Sequence, residues 1–382
     1  MNRVQIQPAL LRWARARSRI DGGVLAARFP HLDAWERGDQ QPTLKQLETF
    51  ARATHTPIGF LFLQEPPAER VPIPDFRTRK NRPLETPSPD LLDTVYQCQQ
   101  RQDWYREFAQ WVRESPCAFV GSAKLTEDAV AVAGRMRKTL KIDLEERRKL
   151  GTWSEALRLL VEQADAAGVL VMVSGVVGSD NHRKLDPEEF RGFALADDLA
   201  PLVFINGADT KAAQMFTLAH ELAHVWLGQS ALSDLDMATG STNEVERWCD
   251  HVAAELLVPL AAIAEEYDRK APLHAEVERL ARAFKVSTLV VLRRLFDAGK
   301  LSRDTYWTAY RAELERLRER AEGGGGDFYR TLGARAGKRF ARAVVVSALE
   351  GRSPFTEAFR LLGFRKMSTF DELGRSLGVL VG

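Results

Sequence analysis

The heptapeptide LAHELAH, residues 218–224, constrains this chain more than any other stretch. On an α-helix, residues four apart share a face because one turn takes about 3.6 residues. His220 and His224 can then offer two imidazole nitrogens to one cation, with Glu221 beside them. HExxH on a helix is a known arrangement for zinc hydrolysis, with two metal ligands and a carboxylate that takes a proton from water. The competing reading is an ordinary core helix that happens to carry two histidines. The flanks bear on the choice. Met215, Phe216, Leu218, Ala219, Leu222, Ala223, Val225, Trp226 and Leu227 make the segment apolar on several sides, so the helix is expected to be buried. Burial without a cation would leave Glu221 and both imidazoles short of partners, which is costly.

A catalytic zinc needs a third protein ligand and one open position. The continuation HExxHxxGxxH fails, since Leu227 and Ser230 stand where it needs Gly and His. The third ligand is therefore expected to be a carboxylate on a following helix, from Asp234, Asp236, Glu244, Glu246, Asp250 and Glu255. Glu246 and Asp250 lie four apart on one face, so one can ligate while the other accepts from a ligand imidazole N–H and fixes its tautomer. Glu244 and Glu255 fall on other faces, and His251 is turned well away from Glu246, which suits a packing or surface role.

Three segments carry a resemblance: PLVFIN, KAAQMFTLAHELAHVWLG and EVERWCDHVAAELLVP. They resemble the ImmA/IrrE family of metallo-endopeptidases over roughly 120–300. That family reads strand–Asn, then FTLAHELGH, then E-x-x-A-N-x-F-A-x-x-L-L-x-P. Glu246 falls on the family's glutamate ligand, and Leu256, Leu257 and Pro259 match its ending. Cys249, Asp250 and Val252 depart from the usual Ala, Asn and Phe, without disturbing the ligands. The resemblance implies Zn2+ held by His220, His224 and Glu246, with Glu221 as the catalytic base and Asp250 behind His220 or His224. It implies a protein substrate, often a repressor. PLVFIN or its neighbour is expected to offer an edge along which an extended peptide pairs.

The rest of the chain sorts by periodicity. PALLRWARARSR and TLKQLETFARAT are helical, the second opened by Thr43 with Gln46 as in a capping box. Residues 65–90 hold seven prolines and read as an extended connector. Residues 91–114 return to helical spacing, with Trp104, Tyr105 and Trp111 as core. LTEDAVAVAGRMRKTL and TWSEALRLLVEQADAAG are helices expected to open on Thr126 and Thr152. VLVMVSGVV, EFRGFALAD and PLVFING read as strands. Thr210 opens and Gly228 closes the HExxH helix; 229–242 reads as a polar loop. Helical stretches follow, and the glycine run 323–326 is the clearest linker. The expected domains are a helical module at 1–64, a connector and helix at 65–117, a peptidase domain at 118–300, and a helical region at 301–382. The fold class is thus α+β and mostly helical: a zincin-like metalloprotease domain, small sheet plus HExxH helix, between helical N- and C-terminal regions.

AWERGDQQPTLKQLETFARAT resembles the second half of an XRE/Cro helix-turn-helix. Only eight residues separate Leu25-Ala26 from Trp35, which is short for a full recognition helix in a major groove. A degenerate module for protein contact or homodimerisation fits better than operator binding. Arg12, Arg15, Arg17 and Arg19 suit a solvated face, with phosphate contact as the alternative. DFRTRKNR, residues 75–82, reads as solvated linker, with nucleic-acid contact or closure over the cleft as alternatives. Cys249 reads as a small buried hydrophobe.

Charge is nearly balanced, 54 Lys+Arg against 52 Asp+Glu, which argues against a chain that coats nucleic acid throughout. Three widely spaced cysteines give no disulfide framework, and no apolar run is long enough to span a membrane, so a cytoplasmic protein is expected. The leading reading is a zinc metallo-endopeptidase acting on a repressor or antitoxin-like partner. The rival is a DNA-binding transcriptional regulator or antitoxin with a non-catalytic zinc site.

Overall fold

The structure, a computed structural model, describes residues 3–76, 86–233, 243–321 and 335–380. The chain divides into two compact units, one of Met1–Pro72 with Arg79–Tyr96, the other of Ile73–Thr78 with Gln97–Gly382. The glycine run 323–326, Asp234 and Asp236 lie outside the described residues.

The first unit is helical because its caps are local. Pro8 opens α1 (Pro8–Ser18), where the missing N–H costs nothing. Asp21 caps α2 (Gly22–Arg28) by accepting from Gly23 N and Val24 N. After α3 (Leu32–Arg37), the Thr43–Gln46 capping box forms as expected and starts α4 (Leu44–Ala53). A 3-10 turn at Ile58–Phe62 closes the unit around Leu10, Leu11, Leu25, Trp35, Leu47, Phe50 and Leu61. Of the arginines expected on a solvated face, Arg12 and Arg19 are exposed, but Arg15 and Arg17 are not free in solvent. Arg17 is buried and donates to Glu69 and to His55 O, and Arg15 pairs with Glu36 at 3.0 Å. The chain folds back over α1 and brings acids to those positions, which helical spacing cannot reveal.

In the second unit, α5 (Pro89–Val112) buries Tyr105 but leaves Trp111 exposed, so the aromatic set is not all core. The helix α6 (Ala129–Leu140) opens two residues later than expected, because Asp128 rather than Thr126 accepts from Ala131 N. A short α7 (Leu144–Lys149) precedes α8 (Trp153–Ala167), which does open on the Thr152–Glu155 capping box.

The sheet holds β1 (Leu170–Ser174), β2 (Gly192–Leu195), β3 (Leu202–Asn206) and β4 (Ala231–Ser233) in the order β1-β3-β2-β4. Only β1 and β3 run parallel. PLVFIN, as β3, is interior, so it has no free edge and cannot pair with a peptide. Within the segment 229–242, read as a loop, residues 231–233 instead form β4 at the edge beside β2, and 234–242 lie outside the described residues. Residues 73–76 pair with that edge: Phe76 N donates to Leu232 O and Leu232 N to Pro74 O, both at 2.9 Å.

Between β3 and β4 runs α9 (Lys211–Leu227), capped by Thr210 and ended by Gly228 at φ 69, a conformation glycine adopts without strain. Packed on it is α10 (Glu244–Leu257), capped by Asn243. The core spreads from α6 and α8 through α9 and α10 to α11 (Leu260–Glu266), α12 (Leu273–Phe284), α13 (Thr288–Asp297) and α14 (Arg303–Ala321). Helices α15 (Lys338–Leu349), α16 (Phe355–Leu362) and α17 (Met367–Ser376) end the chain. Among the described residues no helix is long and apolar enough to cross a membrane.

Candidate metal centre

Two helices build the site. One turn of α9 places His220 and His224 on the same face, and α10 brings Glu246 from its first turn. The two Nε2 atoms lie 3.1 Å apart. Glu246 Oε2 is 3.3 Å from His220 Nε2, and its Oε1 is 3.0 Å from His224 Nε2. All three side chains are buried. Tetrahedral zinc with bonds of about 2.0–2.1 Å sets its donor atoms roughly 3.3 Å apart, so this spacing fits such an ion. Two borderline imidazole nitrogens and a hard carboxylate oxygen converge on one point, a donor set that suits a divalent metal ion.

Asp250, one turn after Glu246, accepts from His220 Nδ1 at 2.9 Å. That bond leaves the Nε2 lone pair of the neutral ring aimed at Glu246 and His224. His224 Nδ1 has no such partner. The Ser233 hydroxyl of β4 lies 3.3 Å from His224 Nε2.

Glu221 is fully buried beside these three side chains, and among the described residues neither of its oxygens has a hydrogen-bond partner. Burial pushes its carboxyl up to about 8; Glu246 raises it further, while His220 and the nearby Ser233 hydroxyl oppose. Burial works against a charged His220, but Glu246 and Asp250 outweigh it and raise that imidazole well above its ordinary value. His224 is depressed, by burial first and by the neighbouring His220. Burial also opposes ionisation of Glu246, yet the two histidines hold it down to about 2.

The space for Glu221 depends on Gly192 in β2. A Cβ there would lie 2.6 Å from Thr217 Cγ2, 2.8 Å from Phe204 O and 3.3 Å from Glu221 Cγ. Phe76 covers the other flank: its ring stacks on the His224 imidazole, centroids 6.2 Å apart and planes 22° apart. The start of DFRTRKNR therefore lies against the centre rather than in solvated linker; residues 77–82 lie outside the described residues.

Among the carboxylate candidates, Glu246 meets the histidines and Asp250 backs His220. Glu244 is exposed, and Glu255 turns away into a buried ion pair with Arg294. His251 is exposed and Cys249 is buried, as expected. Sequence reasoning did not single out Ser233, Gly192 or Phe76. A lone glycine within an apolar strand is a usable sign of close approach; Ser233 carried none.

A pair of imidazoles and a carboxylate from two packed helices form a buried group that could hold a metal ion. Residues 164–296 match the IrrE N-terminal-like domain. The chain is similar to the radiation response metalloprotease IrrE of Deinococcus radiodurans, with 35% identity over 131 residues, 33% of this chain. The match spans 39% of that relative's length. Residues 336–376 match a domain of unknown function, DUF8813.

Proposed function

We propose that this chain is a zinc-dependent endopeptidase that cleaves a regulatory protein, such as a repressor or antitoxin-like partner. One observation carries the reading: Glu246 meets His220 and His224 from a second helix, beside a buried Glu221 with unpartnered oxygens. The domain match to a metalloprotease supports it.

In this reading His220, His224 and Glu246 hold the ion and Asp250 orients His220. Bound zinc supplies Lewis acidity, which polarises a peptide carbonyl and acidifies water. Glu221 accepts a proton on a carboxylate oxygen and later donates it to the leaving amine. Its burial next to His220, His224 and Glu246 places it to do both. The edge strand β4, the one nearest the centre, is the edge along which an extended substrate pairs, displacing residues 73–76.

The test is metal analysis of the purified full chain and of Glu221→Gln, with cleavage of candidate repressor partners followed by intact mass. The variant is expected to keep its ion and to cleave about 10²–10⁴-fold more slowly. Equal cleavage by both proteins removes Glu221 from the reaction.

A further inference from the structure

Away from the metal centre, a cavity of about 690 Å³ opens between the loop after β1 and the end of α16. Four arginines line it, Arg101, Arg183, Arg360 and Arg365, with one carboxylate, Asp180, in the lining itself and Glu357 3.9 Å from Arg360. Asp180 is already engaged in its own turn, accepting from His182 N at 2.9 Å. The lining is therefore strongly cationic in a chain whose overall charge is nearly balanced.

Arg101 is the telling member. The residue is only 8% exposed, and among the described residues no carboxylate pairs with it. Nε donates to Leu361 O at 3.0 Å, and Nη1 to Arg335 O at 3.3 Å and to Met172 Sδ at 3.5 Å. Carbonyls solvate a guanidinium in part, but a buried cation without an anion is costly. Burial accordingly pushes the Arg101 guanidinium down from its ordinary value. Ser179 donates to Gly363 O and so ties the two walls of the cavity together.

We propose that this cavity binds a small molecule carrying one or more phosphates, with Arg101 at its floor and Arg360 and Arg365 at its rim. The guanidinium fork matches phosphate oxygens two at a time, which a lysine ammonium cannot do. The volume falls within the roughly 300–1,000 Å³ of small-molecule sites and suits a nucleotide better than phosphate alone. The site does not depend on the peptidase reading, since it shares no residue with the metal centre.

The experiment is calorimetric titration of the purified full chain with ATP, pyrophosphate, inorganic phosphate and acetate at one ionic strength. ATP or pyrophosphate is expected to bind in the micromolar range, phosphate more weakly, and acetate not at all. Tighter binding of ATP than pyrophosphate identifies a nucleotide, and the reverse a polyphosphate. Arg360→Gln and Arg365→Gln change exposed side chains, so the unliganded melting temperature stays put while affinity falls about tenfold each. Absence of binding by ATP and pyrophosphate at 1 mM overturns the proposal. So does unchanged affinity in both variants, which would place the anion on the metal instead.

Discussion

Phe76 lies flat against His224, and two backbone hydrogen bonds to Leu232 hold it there. The ring covers one face of a metal-site imidazole. Such a stack is worth about 0.5–1.5 kcal/mol. In Phe76→Ala, release of the metal to a chelator is expected to be roughly three- to tenfold faster, since 1.4 kcal/mol is tenfold in rate. A colorimetric release assay measures this, and identical rates would show that the ring is no cover.

Asp250 is expected to matter more for affinity than for folding. Its carboxylate fixes His220 with Nε2 free to ligate. Asp250→Asn keeps the shape but weakens the acceptor, and about 10–100-fold lower metal affinity is expected. Competition against a chelator of known affinity reads this directly. The same value in wild type and variant would leave Asp250 without an orienting role.

Metal uptake is expected to release a proton. In the metal-free protein His220 stays protonated at neutral pH, its pKa being raised well above 6.5, and an imidazole must be neutral to ligate. Affinity therefore rises with pH below that raised pKa. Calorimetry in two buffers of different ionisation enthalpy counts the proton, and buffer-independent heats would contradict the assignment. The stability signs follow from the same shifts. Raised His220 stabilises the metal-free fold fully below 6.5 and loses this as pH climbs through its folded pKa. Depressed Glu246 stabilises it above 4.5 and loses this as pH falls towards about 2. The pair's contribution is thus complete only between about 4.5 and 6.5.

Arg294 and Glu255 form an ion pair that is almost wholly buried, and Arg294 Nε also donates to Val258 O at 2.8 Å. Together they pin the end of α10 to α13. Arg294→Ala leaves a buried carboxylate alone and is expected to cost about 3–5 kcal/mol. The double variant Arg294→Met with Glu255→Leu is expected to recover much of that loss. Urea titration with the slope held constant compares them, and an additive double variant would argue against the pairing.

How much of the site was legible varies with what fixes each residue. His220, Glu221 and His224 sit within one helical turn, so spacing alone aligns them. Glu246 and Asp250 share a face for the same reason, so spacing singled out that pair, and the family resemblance then placed the ligand at Glu246. Gly192, Ser233 and Phe76 come from three separate segments, and nothing in their own neighbourhoods announces a metal. The strand PLVFIN was legible as a strand, yet its interior place was not, because strand order is a long-range property. Arg15 and Arg17 escaped the reading in the same way: Glu36 and Glu69 reach them from elsewhere in the chain.

The sequence by itself determined the caps, the HExxH face and the buried character of α9, since each depends on contacts within a few residues. Only the tertiary structure decided which carboxylate closes the centre, which strand forms the edge beside it, and what lies against His224. Those outcomes depend on chain segments tens to hundreds of residues apart, brought together because their apolar faces have to be buried in common.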